Sequence, residues 1–337
     1  MFIQSRQKRK LPWGLIASAA FTILLLVFLF LNIKLKEIIT AVQCVSWKLI
    51  LIGAFFHLAA YIFRCLALFP FFDKKSISFF ELIWVHFIHN FYVHIVPASL
   101  GEISFPVLLR KKIPTHKSMA ILIVSRMLIL MVTVILLLIS ILFLYSQTLG
   151  NFSLQFKNIL VIICIVVGFI AVYLLRKKIF NLLNRFSFLS KIIQKIKSVW
   201  QQTQNEISKL KSFLFSLKVS VFTLLSIVCT SMFYITILIS ENIHLNFFEV
   251  IFISSIGLVF MIIPIKSVGG FGTTEGSWAI GLMILGIDKQ LAIESGFVVH
   301  IYALLNVIVI GIVGMIFRFI SISSSSKINQ IPTQNGT

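Results

Sequence analysis

Two glutamates, Glu102 and Glu275, stand just beyond glycines inside stretches that are otherwise apolar enough to lie in a membrane. The first belongs to PASLGEISFPVLLRKK (Pro97–Lys112), the second to PIKSVGGFGTTEG (Pro264–Gly276). Cations stand nearby in sequence: Arg110 and Arg126 follow the first glutamate, and Lys266 precedes the second. An ionised side chain in hydrocarbon is costly, so such residues face a partner, the bundle interior or a wet cavity. Cationic side chains and helix N-termini favour anions such as a lipid phosphate. The glutamates suit a cationic headgroup, a coupling proton, or pairing with the arginines; the last is a purely structural role. His86, His89, Asn90 and His94 approximate helical i+3/i+4 spacing and form a polar stripe. Histidines on one face can bind metal, but no carboxylate completes a recognisable signature, so a cavity-facing stripe is expected and no metal or other cofactor is.

The elements that must position these residues are membrane helices. Of 337 residues, 59% are hydrophobic and only 12% charged, and mean hydropathy is +1.04. The apolar runs are continuous rather than alternating, which argues against a closed barrel. The expected fold is an all-α polytopic bundle of about six to eight membrane segments. The net charge of +20 comes from 30 Lys and Arg against 10 Asp and Glu. These cations cluster between apolar runs, as cytoplasmic loop anchors do, so no nucleic-acid partner is expected. Cys44, Cys65, Cys164 and Cys229 are far apart and show neither metal nor redox spacing.

In chain order, spans are expected at Leu11–Asn32, Trp47–Phe72 (carrying His57 and Arg64), Phe79–Leu100, Met119–Tyr145, Ile159–Leu175, Val219–Ser240 and about Leu291–Ile320. The last carries His300, Tyr302 and Asn306. The transmembrane domain is read as residues 1–322, with a disordered tail at 323–337. Residues 176–218 are basic throughout and read as an amphipathic cytoplasmic segment on the inner leaflet. The two broken regions look alike: Pro97 precedes Gly101-Glu102, and Pro264 precedes Gly269, Gly270, Gly272 and Glu275. Each follows a full span and precedes a long one. Hydropathy allows either re-entrant hairpins or ordinary loops between short spans. If both are re-entrant, the basic loops and both termini fall inside, and the units become inverted repeats.

At these motifs the sequence resembles the flippase-like transmembrane domain of lysylphosphatidylglycerol synthases. The resemblance rests on Asn90, Pro97, Gly101, Glu102, Arg110 and Arg126 in the first half. In the second half it rests on Pro264, Gly269, Gly270, Gly272, Glu275, Leu285, Gly286 and Ala292. It spans roughly residues 10–320. One departure is His300, which stands near where the family often carries an arginine in its last helix. The chain is expected to lack the soluble aminoacyl-transfer domain of the full synthases, so the resemblance implies the translocation half: moving a phospholipid or lipid-linked headgroup between leaflets of the cell (inner) membrane.

The expected partners are therefore membrane lipids, either an anionic phospholipid or a polyprenyl-phosphate-linked lipid, and a second copy of the chain is an open option. Arg110, Arg126 and Lys266 would engage phosphate, and Glu102 and Glu275 would set charge or carry a proton. Asn90, His300 and the glycines 269, 270 and 272 would shape the site. No GxxxxGK[ST] motif is present, so nucleotide hydrolysis is not the expected drive. Enzymatic activity is not expected. The rival readings are a membrane transferase on a polyprenyl or phospholipid substrate, and a non-catalytic partner of a separate lipid synthase or glycosyltransferase.

Overall fold

The computed structural model describes residues 35–73, 75–96, 100–147, 201–206, 208, 212–261 and 268–328. All regular structure in them is helical. The expected spans at 11–32 and 159–175, most of the basic segment, and Pro97, Pro264 and Lys266 lie outside the described residues.

A short helix α1 (Leu35–Cys44) precedes two units built to one plan. The first unit runs α2 (Trp47–Leu68, extended by a 3-10 turn at Phe69–Phe71), α3 (Phe79–Ile95), a break, a 3-10 turn (Leu100–Ile103) leading into α4 (Ser104–Leu109), then α5 (Thr115–Gln147). The second runs α6 (Phe213–Ser240), α7 (Phe247–Met261), a break, a 3-10 turn (Val268–Gly270), α8 (Thr273–Ile284) and α9 (Lys289–Ile328). The second helix of each unit starts the same way. Ser78 caps α3 by accepting the Glu81 N–H at 3.2 Å. Asn246 and Glu249 form a reciprocal capping box at α7, with bonds of 2.7 and 3.0 Å.

Two boundaries differ from expectation. Residues 213–218, placed with the basic loop by their charge, open α6, where Phe215 packs edge-on against Phe71 at 5.2 Å. Tertiary packing there overrides the polar character of Ser216 and Lys218. Helix α9 continues to Ile328, past the expected boundary at 322.

The units pack reciprocally. Helix α2 lies along α6, while α3 packs on α9 and α7 packs on α5. Exchange of the two units maps this pattern onto itself, as a two-fold axis requires. The seam between α2 and α6 is antiparallel. The Ser46 N–H donates to Ser240 Oγ at 2.7 Å, His57 stacks on Phe233 at 4.5 Å, and the Arg64 Nε–H donates to Ser226 Oγ at 3.0 Å. Corresponding helices therefore run in opposite directions, and the units are inverted repeats. Each has its own apolar core. One gathers Phe71, Leu82, Phe105 and Ile121; the other gathers Phe233, Phe252, Leu282 and Val298.

Among the described residues four helices are long and apolar enough to cross a membrane: Trp47–Phe71, Thr115–Leu144, Leu214–Ser240 and Lys289–Ser321. Large apolar side chains such as Phe55, Leu142, Val309 and Phe317 are exposed on their outer faces, where lipid replaces water as the solvent. The protein is a polytopic helical membrane protein.

Candidate functional site

Each break brings one glutamate to the long helix that closes its unit. Arg126 and His300 each stand eleven residues beyond the first residue of that helix, Thr115 and Lys289 respectively. At 1.5 Å per residue this is about 17 Å along the helix axis from its start. Because the repeats are inverted, the two positions are reached from opposite ends.

In the first break, Gly101 lies directly on the end of α3. A Cβ at this position would meet Tyr92 O at 2.2 Å and Val93 Cα at 2.6 Å, so only a glycine lets the returning chain approach this closely. That approach places Glu102 beside α5. One Arg126 nitrogen donates to both Glu102 oxygens, at 3.0 and 3.2 Å. His89, buried on α3, lies beside the carboxylate without bonding it: its Nε2 is 3.6 Å from Glu102 Oε2, while its Nδ1 is bonded to Ser104 Oγ at 2.8 Å. The ion pair is open, with side-chain exposures of 43% for Arg126 and 29% for Glu102.

In the second break, Gly269, Gly270 and Gly272 have φ of 64°, 80° and 84°, in the left-handed region. Gly270 is also confined in space: a Cβ there would lie 3.0 Å from Thr274 Oγ1 and 3.4 Å from His300 Nε2. The turn delivers Glu275 to the third position of α8, where its Oε2 accepts the Gly272 N–H at 2.7 Å. This is half of a capping box, and the positive end of the helix dipole favours the carboxylate. Glu275 Oε1 lies 2.8 Å from His300 Nδ1, and His300 Nε2 lies 3.0 Å from the Gly269 carbonyl oxygen. The carbonyl can only accept, so Nε2 carries a proton. A second proton must then lie between Nδ1 and Oε1, either on the imidazole or on the carboxyl. In either arrangement the pair has no net charge. It is sealed: side-chain exposure is 0% for Glu275 and 5% for His300. The Phe271 ring covers His300 at 4.8 Å. Gly296 brings α9 onto the α8 backbone, since a Cβ there would sit 2.7 Å from Glu275 O.

The structure thus groups Glu102 with Arg126, and Glu275 with His300 and the three glycines. The second break lies against the end of α3, where His94 O is 4.0 Å from the position of a Gly269 Cβ. Asn90 is buried but donates to its own helix, to His86 O at 2.8 Å. Arg110 is exposed at the end of α4. With Lys111 and Arg318 it lines a cleft of about 440 Å³ whose other wall includes Gly101, Ile103 and Ser104 of the first break. Of the expected phosphate-binding cations, Arg126 bonds Glu102 and Arg110 lines the cleft at the first break; Lys266 is outside the described residues. One residue left out of the expected site is Arg64. Its guanidinium lies 5.6 Å over the Tyr61 ring and lines a cavity shared with Arg126, His86 and His89. Its signal in the sequence is an arginine inside an otherwise uncharged span. No curated protein and no solved structure matches the chain. The family described as Lysylphosphatidylglycerol synthase TM region matches residues 15–311, and the chain belongs to that family.

Proposed function

We propose that this integral membrane protein translocates a phospholipid or lipid-linked headgroup between leaflets. The observation that carries the reading is the open Glu102–Arg126 pair on a helix long and apolar enough to cross the membrane. An ion pair so exposed within a span is tolerable only where it meets water or a polar headgroup rather than acyl chains. The headgroup would enter at this break while its chains stay in the bilayer. Arg126, whose two bonds to Glu102 use one guanidinium nitrogen, would exchange part of that contact for a lipid phosphate. Glu102 would in turn face a cationic group of the headgroup. Arg110, with Lys111 and Arg318, would present positive charge in the cleft at the first break, and Lys266 would engage phosphate. Buried Asn90 would stiffen α3 behind the first break.

The second cluster would act by proton transfer. Glu275 and His300 share one proton, and moving it changes the charge on both without changing their sum. Glu275→Gln keeps the hydrogen bonds: the amide oxygen accepts from Gly272, and the amide nitrogen donates to Nδ1 of a neutral His300. The shared proton is lost, so transport falls while the protein stays folded.

The test is a leaflet assay in reconstituted liposomes with short-chain fluorescent analogues of phosphatidylglycerol, an aminoacylated lipid and a polyprenyl phosphate. Movement of one analogue, reduced at least about tenfold (about 1.4 kcal/mol in the barrier) by Glu102→Gln, is the expected result. Absence of movement for every analogue with folded protein contradicts translocation.

A further inference from the structure

Helices α2, α3, α5 and α6 meet at a cavity lined by Arg64, His86, His89 and Arg126 among apolar side chains. Its charges do not balance. Arg126 is matched by Glu102. Arg64 has only neutral partners: its Nε donates to Ser226 Oγ at 3.0 Å, its Nη2 donates to Thr230 Oγ1 at 3.4 Å, and its guanidinium lies over the Tyr61 ring. Among the described residues no carboxylate pairs with it. Two guanidinium charges against one carboxylate leave a single positive charge, and a proton on either histidine would only add to it. An unmatched charge within a membrane span is costly.

The donors that face this cavity are few. His86 is 7% exposed, and both its ring nitrogens are buried without a hydrogen-bond partner. A neutral imidazole has one N–H to give. The hydroxyls of Ser125 and Thr223 are committed to their own helices, donating to Leu122 O at 3.1 Å and to Val219 O at 2.8 Å. Leu68, Leu128 and Ile129 make the rest of the wall apolar.

We infer that this cavity binds a halide ion, chloride in a cell, held by Arg64 and Arg126 with His86 donating from one ring nitrogen. One negative charge cancels the excess, whereas a dianion would reverse it. An oxyanion brings several acceptor oxygens, and those turned toward the apolar wall would be left unpaired. A halide has no directional acceptors and is weakly hydrated, so it loses little against such a wall. Guanidinium is likewise the more weakly hydrated of the side-chain cations. The ion is a resident counter-charge rather than cargo, and its binding does not depend on whether the protein moves lipid.

The experiment is chlorine NMR of the full chain in detergent, with gluconate replacing chloride at constant ionic strength. Chloride held on a slowly tumbling protein broadens the line. The expected result is broadening that bromide displaces, with chloride affinity at least about tenfold weaker in Arg64→Gln. His86→Phe keeps a ring against Tyr61 and removes the donor. It should weaken chloride binding by at least about threefold. Lys112→Gln removes the same charge at the surface and should change nothing. Unchanged affinity in either Arg64→Gln or His86→Phe overturns the inference, so it can still fail if one of the two does not fold. An equal loss in Lys112→Gln also overturns it, because the ions would then be gathered by surface charge alone. So does displacement by glycerophosphoglycerol at lower concentration than by bromide, which would make the cavity a headgroup site. Halide binding without lipid movement in the leaflet assay would uphold this site while contradicting translocation; movement without halide binding would do the reverse.

Discussion

The two breaks occupy equivalent places in the repeat and meet the same kind of partner, yet one is open and the other sealed. In the first, Glu102 faces Arg126, a cation that keeps its charge at any relevant pH. In the second, Glu275 faces His300, whose proton can pass to the carboxylate. The difference follows from solvation. A permanent charge pair is affordable where its outer atoms still meet a polar phase. In a fully enclosed site the same pair would suffer a desolvation penalty of several kcal/mol per ion, and a pair that can become neutral largely avoids it. The repeat supplies the geometry twice, and the residue eleven positions into the closing helix decides whether each copy is an open electrostatic site or a closed proton-sharing one.

Mutation should separate the halves in order of size. Glu275→Ala strands His300 Nδ1 and the Gly272 N–H in a dry site, and should lower stability by about 3–5 kcal/mol in thermal unfolding of the detergent-solubilised protein. A loss below that of Glu275→Gln would mean the second break is wetter than described. Next come the glycines that close each break on backbone. Gly101→Ala must push apart the end of α3 and its returning chain, and Gly296→Ala must lift α9 from α8. Both should destabilise by about 1–3 kcal/mol, the first more than the second because its approach is tighter. Glu102→Gln should change stability by less than about 1 kcal/mol, as expected of an exposed pair, although it impairs transport.

The smallest effect concerns helix ends rather than breaks. Helix α2 ends in the apolar Phe69–Phe71 turn, whereas α6 ends at Glu241. Burial pushes the Glu241 carboxyl up to about 7. The folded state therefore holds this proton more tightly than the unfolded chain does. Stability should fall as pH rises from the ordinary carboxylate value near 4.5 through about 7, then level off. Glu241→Gln should flatten that part of the pH profile, and an unchanged profile would remove Glu241 as its source.

Much of this was written locally. The breaks, their glutamates and Arg126 stand out because glycine, proline and charge interrupt apolar runs. The capping patterns Ser78–Glu81 and Asn246–Glu249 are also readable in the sequence and mark equivalent helix starts. The pairings were less legible. Glu275 and His300 are 25 residues apart on different helices, and their contact depends on how closely Gly296 lets those helices approach. Arg64 was visible as an anomaly, but α2 is apolar on nearly every side. Periodicity could not say that this residue faces α6 and the cavity rather than lipid. Arg110 follows Glu102 closely in sequence, and the structure sets it on a cleft that Gly101, Ile103 and Ser104 of the first break also line.

The central claim is that the first break is wet and the second is dry. With Cys44, Cys65, Cys164 and Cys229 replaced by alanine, single cysteines at Ile103, beside Glu102, and at Ser277, on the helix that carries Glu275, can be exposed to a membrane-impermeant methanethiosulfonate. Only an ionised thiol in water reacts quickly with that reagent. The account predicts modification of Ile103→Cys at least about tenfold faster than Ser277→Cys. Equal rates, or a faster reaction at Ser277→Cys, would contradict it.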